Sequence, residues 1–306
     1  MFEKIKSKTK IQIEKIKYLA LAMYHSSSKK VKFKTYKYSL IFHPIRIVKA
    51  LIGKEVNVEY IEIVLTTMCN LKCKGCSALM TCYKKPYHVD LDKIIKTLDR
   101  LNEACDSVIH LRLLGGEPLL YPNMYEVLEY LLNHDKFKRI AIVTNGTMII
   151  NDKKVLEILK NDKFYLSISN YGDVSKNYDN LIKQCDENNI KYEPMRLTYE
   201  WIDYGDFKKR NRPAKELEYQ YNHCSHKRRN IIDGKLFQCF RCAHATNLKY
   251  VDLKEEDYID LLDDSISVKE LKNKIYDFCF KYKKCIESCD YCDCYKNSKS
   301  IPRGKQ

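Results

Sequence analysis

Three cysteines stand close together in Thr66-Thr67-Met68-Cys69-Asn70-Leu71-Lys72-Cys73-Lys74-Gly75-Cys76. Structural zinc usually takes four protein ligands. Three thiolates on one loop suit an iron–sulfur cubane whose fourth iron is open to a non-protein ligand. The chain has 14 cysteines in 306 residues. They are clustered, not spread as a disulfide framework would be, and clusters of this kind point to metal. A second group follows Trp201: Cys224, Cys239, Cys242, Cys279, Cys285, Cys289, Cys292 and Cys294. Cys82, Cys105 and Cys185 fall on or beside helical patterns and read as small buried hydrophobes.

The elements that must hold these residues alternate from residue 58 onward. Strands are predicted at Val58–Thr66, Val108–Leu114, Ile140–Thr144, Phe164–Ser169 and about Ile190–Leu197. Between them lie helices at Asp90–Ala104, Met124–Asn133, Asp152–Lys160 and Val174–Glu187. A β-α-β rhythm implies a parallel sheet, and ligands of such sheets bind at the carboxyl ends of the strands. After Trp201 the rhythm fails. Ile231-Ile232 and Lys235–Phe240, joined by Asp233-Gly234, read as a hairpin with a tight primed turn. A helix at Val268–Phe280 and the cysteine-dense stretch Cys285–Cys294 follow. Three parts are expected: residues 1–57, a core at 58–200, and a smaller unit at 201–306.

The Cys-x3-Cys-x2-Cys loop after the first strand resembles that of the radical S-adenosylmethionine (SAM) superfamily. Gly115-Gly116-Glu117-Pro118, at the end of the second strand, is similar to its Gly-Gly-Glu-Pro motif, and Thr144-Asn145-Gly146 is also similar to members of the family. The resemblance covers residues 58–200 and implies a partial (β/α)6 TIM-like barrel. It implies that Cys69, Cys73 and Cys76 hold a [4Fe-4S] cluster whose open iron chelates the amino and carboxylate groups of SAM. One electron then cleaves the sulfur–C5′ bond, and the 5′-deoxyadenosyl radical takes a hydrogen from substrate. Gly115 and Gly116 would let the backbone approach the ligand, and Glu117 would offer a carboxylate to the SAM ammonium. Asn145, Ser169, Asn170 and Arg196 complete the expected SAM contacts, Ser169 and Asn170 at the ribose. The family commonly has an aromatic residue before the third cysteine; Gly75 stands there, so adenine packing falls to another side chain.

Cys224, Gly234-x4-Cys239 and Cys289-x2-Cys292 resemble the twitch form of a SPASM-type extension. That implies a small C-terminal hairpin-and-helix domain holding one auxiliary [4Fe-4S] cluster on Cys224, Cys239, Cys289 and Cys292. Cys242 or Cys285 could replace one of these. A zinc ribbon is the alternative, since paired Cys-x2-Cys units also suit zinc. Cys242 is also a candidate hydrogen-atom donor to a substrate radical.

Residues 1–54 carry 13 Lys and one Arg against Glu3 and Glu14, a net +12 out of the chain's +15. This segment reads as a basic, mainly helical stretch, with an anchor on an anionic membrane surface as the sharper alternative. No nucleic-acid-reading motif accompanies the charge. No secretory signal opens the sequence, and the expected location is cytoplasmic, with possible membrane association. A flavodoxin- or ferredoxin-type electron donor is expected. The family includes an aminocyclitol dehydrogenase that carries a twitch extension. The first expectation is therefore oxidation or epimerisation of a small polar substrate: a sugar, nucleotide-sugar or aminocyclitol. The second is maturation of a ribosomally made peptide, and the non-enzyme alternative is a zinc- or iron-sulfur-binding module. Arg210, Arg212, His223, His226, Arg228 and Arg229 could bind substrate oxygens or form a solvated basic face.

Overall fold

A computed structural model describes residues 55–195, 200–224, 226, 228–281, 285–294 and 298–306. The expected helical segment at residues 1–54, its membrane contact, and Arg196 lie outside these residues.

Five strands in chain order build the core sheet: β1 Asn57–Thr66, β2 Ser107–Gly115, β3 Phe137–Thr144, β4 Phe164–Ser169 and β5 Tyr192–Met195. The helices between them are α1 Leu91–Ala104, α2 Met124–Leu132, α3 Lys153–Leu159 and α4 Tyr178–Glu187. Each neighbouring strand pair is parallel. Local chemistry sets the helix starts: Asp90 accepts the Lys93 N–H before α1, and Asp152 accepts the Lys154 and Val155 N–H groups before α3. The fourth helix starts at Tyr178, later than the sequence pattern suggested, because Gly172–Val174 forms a separate 3-10 turn.

The remaining elements are β6 Trp201–Asp203, α5 Ala214–His223, β7 Arg229–Ile232, β8 Lys235–Phe237, α6 Phe240–Asn247, β9 Tyr258–Asp260, α7 Val268–Phe280 and β10 Lys299–Ile301. The hairpin forms as expected, with Asp233 and Gly234 both at positive φ (49° and 79°). Its second strand is shorter than the apolar run suggested, because Cys239 caps a helix by accepting the Cys242 N–H. The hairpin is not set apart from the core. Strand β7 pairs in parallel with β1, so the sheet order is β5-β4-β3-β2-β1-β7-β8-β9. Six parallel strands thus lie in one open sheet; among the described residues it does not close into a barrel. No helix among the described residues is long and apolar enough to cross a membrane.

The two faces of this sheet differ sharply. Ile61, Ile63, Leu65, Leu111, Leu113, Ile140, Ile142, Leu166 and Ile168 join the core with Leu98, Leu101, Leu128 and Leu181 of the helices. Each fully buried aliphatic side chain contributes about 2 kcal/mol of transfer free energy. The alternate positions carry Tyr60, Glu62, His110, Arg112, Arg139, Tyr165, Ser167 and Glu193, and strand register sets them side by side.

Candidate functional site

The cysteine loop leaves β1 at Thr66 and is fastened to the end of β2 by backbone hydrogen bonds. The Gly116 N–H donates to Thr66 O at 2.9 Å and the Glu117 N–H to Met68 O at 2.8 Å. A Cβ at Gly115 would overlap the Thr66 carbonyl, and one at Gly116 would overlap Met68 O and the Cys69 side chain. The paired glycines therefore let β2 press against the loop itself.

Glu117 is fully buried. Its Oε1 accepts the Leu119 N–H at 3.0 Å and its Oε2 the Asn145 N–H at 2.8 Å. Burial pushes its carboxyl up to about 7 against the pull of these donors. The carboxylate that the resemblance assigns to the SAM ammonium also joins the ends of β2 and β3. Asn145 extends that bracket, its Nδ2 donating to Asn70 Oδ1 at 3.0 Å and lying 3.9 Å from Cys69 Sγ. Asn70, unmarked by sequence reasoning, also donates to Thr147 Oγ1 at 2.6 Å. The only signal for it was its position inside the cysteine loop.

Ser169 turns to the neighbouring strand β5 and Asn170 to a local partner. The Ser169 hydroxyl meets Met195 Sδ at 3.4 Å, and Asn170 Oδ1 accepts the Gly172 N–H at 2.8 Å.

Cys69, Cys73 and Cys76 share the loop, and Cys73 and Cys76 lie near enough to Cys69 to disfavour its thiolate. Burial is the larger cause and pushes the Cys69 thiol up to about 11. Metal loading must therefore displace protons. The Leu71 N–H points at Cys69 Sγ at 3.4 Å, and Gln306 Nε2 donates to Cys73 Sγ at 3.2 Å.

The second group of cysteines gathers as well. Cys224, Cys239, Cys242, Cys289, Cys292 and Cys294 line one cavity with Arg241 and Tyr221. Cys224 and Cys294 stand 3.5 Å apart at sulfur. All four expected auxiliary residues are here, together with Cys242 and Cys294. Cys279 belongs to the main core. Cys285 packs beside the cavity against the cluster that includes Val64 and Ile286. Among the described residues, no three His, Cys, Asp or Glu side chains converge on a single-ion position. A cavity lined by six thiols offers enough donors for an iron–sulfur cluster or for zinc. A hydrogen bond with Cys294 and the nearby Arg241 bring Cys292 down to about 7. Cys242 is fully buried among these thiols, and its N–H points at Cys239 Sγ. That placement makes it a member of the thiol nest.

The arginines before the hairpin are braces. Arg212 donates to Asp293 Oδ1 at 2.6 Å and to Cys292 O at 2.8 Å, while Arg210 donates to both Asp293 oxygens. Gln220 reaches Cys289 O and Cys292 O at 2.9 and 3.0 Å. Arg229 is buried and donates to Cys279 O. Arg210, Arg212 and Arg229 are thus all engaged by partners within the chain.

The polar face of the sheet was also missed. Tyr60 donates to Glu62 Oε1 at 2.9 Å and accepts from Arg112, and Arg139 pairs with Glu193 at 2.8 Å. Arg228 lies 5.6 Å over the Tyr60 ring. Asn230 is fully buried beside Glu62, and its Oδ1 has no hydrogen-bond partner among the described residues. The signal was the period-two spacing of Tyr60-x-Glu62, His110-x-Arg112 and Tyr165-x-Ser167 within strands otherwise read as apolar.

Residues 63–189 match the Radical SAM superfamily. The chain is similar to the antilisterial bacteriocin subtilosin biosynthesis protein AlbA of Bacillus subtilis (strain 168), 37% identical over 99 residues, covering 32% of this chain and 20% of that protein. It is also similar to GTP 3′,8-cyclase of Alkaliphilus oremlandii (strain OhILAs), 29% identical over 136 residues, covering 39% and 41%. Both alignments span less than half of the relative's length. Among solved structures it is similar to BtrN in complex with AdoMet and 2-DOIA, with TM-score 0.49 and 16% identity over 82% of this chain and 98% of that one. The matched segment contains the cysteine loop, the Gly115–Pro118 strand end and the Asn145 bracket, and it is this segment of the chain that is similar to the radical SAM superfamily.

Proposed function

We propose that this chain is a two-cluster radical SAM enzyme that oxidises or epimerises a small polar substrate. Cys69, Cys73 and Cys76 hold the SAM-ligating cluster, and the six-thiol cavity supplies the ligands of an auxiliary one. Held by Cys69, Cys73 and Cys76, a [4Fe-4S] cluster with SAM would supply radical chemistry capable of hydrogen-atom abstraction. The chain's own residues position this chemistry. Gly115 and Gly116 bring β2 against the loop, while Glu117 and Asn145 lock the ends of β2 and β3 together. Arg210, Arg212 and Gln220 hold the loop that bears Cys289 and Cys292. The gathering of six cysteines from three separate stretches around one cavity carries the two-cluster reading.

The polar sheet face supports the substrate class. Its guanidinium, carboxylate and amide groups, with the unpartnered Asn230 Oδ1, suit hydroxyls or small charged groups better than an apolar ligand. One observation favours a peptide substrate instead: the 37% identity to a protein named for bacteriocin biosynthesis.

The test is anaerobic. The reconstituted, dithionite-reduced protein is expected to release 5′-deoxyadenosine from SAM, and the Cys69→Ala/Cys73→Ala/Cys76→Ala variant is not. Faster release with an aminocyclitol or nucleotide-sugar panel supports the first substrate class. Faster release only with a precursor peptide replaces it with the second. No 5′-deoxyadenosine from the parent chain refutes both.

A further inference from the structure

Residues 299–306 lie across the cysteine loop. Strand β10 pairs antiparallel with β6, setting Ile301 opposite Trp201. Ile301 then packs on Gly75, where a Cβ would overlap its Cδ1, so the missing side chain at position 75 is what admits it. Gly75 and Gly304 sit at φ +68° and +63°, in the left-handed region that favours glycine. Gly304 rests against Tyr171, whose ring meets Trp201 edge to face at 5.4 Å and lies 5.8 Å below the Arg303 guanidinium. The Lys74 N–H donates to Lys305 O at 2.6 Å and the Lys72 N–H to Gln306 Oε1 at 2.7 Å. The other end of the same carboxamide, Gln306 Nε2, donates to Cys73 Sγ at 3.2 Å and to Gly304 O at 2.6 Å.

We propose that residues 299–306 are a working part of the SAM-cluster site: a strap that holds the cysteine loop in shape, with Gln306 tuning the Cys73 sulfur through an N–H···S hydrogen bond. The inference rests on Cys69, Cys73 and Cys76 being the ligand set. Hydrogen bonds to ligand sulfurs stabilise the more negative, reduced form of a cluster and raise its potential. Gln306 suits the task because its oxygen is anchored by Lys72, which fixes the amide orientation and aims the N–H groups at sulfur and at Gly304 O. Gln306 is a positioning residue and touches no reacting atom.

The experiment compares the full chain with Gln306→Ala and Gln306→Glu after anaerobic reconstitution. EPR-monitored redox titration follows the signal that changes on adding SAM, and a parallel assay follows iron release to a chelator. Gln306→Ala is expected to keep the iron content, shift the potential to more negative values, and release the SAM-cluster iron about fivefold faster, the equivalent of one net hydrogen bond. Gln306→Glu keeps the size but presents only acceptors near neutral pH, and is expected to move the potential further the same way. An unchanged potential in both variants overturns the tuning role, whatever happens to the release rate. If the parent chain itself shows no SAM-responsive cluster signal, the ligand assignment fails and not the strap alone.

Discussion

The Glu117 carboxylate accepts the backbone N–H of Asn145 at 2.8 Å while its other oxygen accepts that of Leu119. One buried side chain thus ties the end of β2 to the end of β3, and Asn145 passes the constraint to Asn70 inside the cysteine loop. Removing it leaves two buried donors without their acceptor. Glu117→Ala is therefore expected to lower the unfolding free energy of the metal-free chain by about 2–3 kcal/mol, measured by urea denaturation. A loss near zero would show that the bracket contributes nothing.

The Arg212–Asp293 ion pair makes a similar prediction for the second cysteine group. The Arg212 side chain is 7% exposed and that of Asp293 is 25% exposed, so the pair is screened little by solvent. Asp293→Ala removes the nearer of the two carboxylates that face the buried Arg212 guanidinium, Glu216 being the other, and is expected to cost about 2 kcal/mol. Asp293→Asn keeps one acceptor and is expected to cost less. In the metal-free chain, thiol-alkylation mapping should find Cys289 and Cys292 modified faster in Asp293→Ala than in the parent. Equal rates would mean that the brace does not hold this loop.

His110 sets a pH dependence. Burial first, then the neighbouring Arg139 and Arg112 cations, push its imidazole down to about 4 from an ordinary 6.5. The unfolded chain binds a proton here between those values and the folded chain does not. Stability from this residue is therefore present above about pH 6.5 and lost as pH falls towards 4. His110→Gln should show a flatter dependence of Tm on pH across that window. An identical slope would place the imidazole in a more solvated setting.

The chemistry of the cysteine loop was legible because it is local. Ligand spacing, the paired glycines and the strand ends all lie within short stretches whose periodicity also announces the elements that carry them. Helix α7 and strand β4 were read to the residue for the same reason. What could not be read were relationships between distant stretches. Pairing of β7 with β1 joins Glu62 to Asn230, and nothing in either strand announces its neighbour. Arg210 and Arg212 looked like free cations because their counterion, Asp293, lies some 80 positions away. Helix α6 was hidden inside a run that also suits a strand, and a cysteine cap decided it. Gln306 carries no sequence signal at all; its meaning comes only from lying beside Cys73.

Iron counting after anaerobic reconstitution tests the two-cluster account most directly. Two four-iron clusters predict about eight irons per chain, and about four in the Cys69→Ala/Cys73→Ala/Cys76→Ala variant, which keeps the six-thiol cavity intact. The full complement surviving in that variant would contradict the account, as would a parent chain that binds no more than about four.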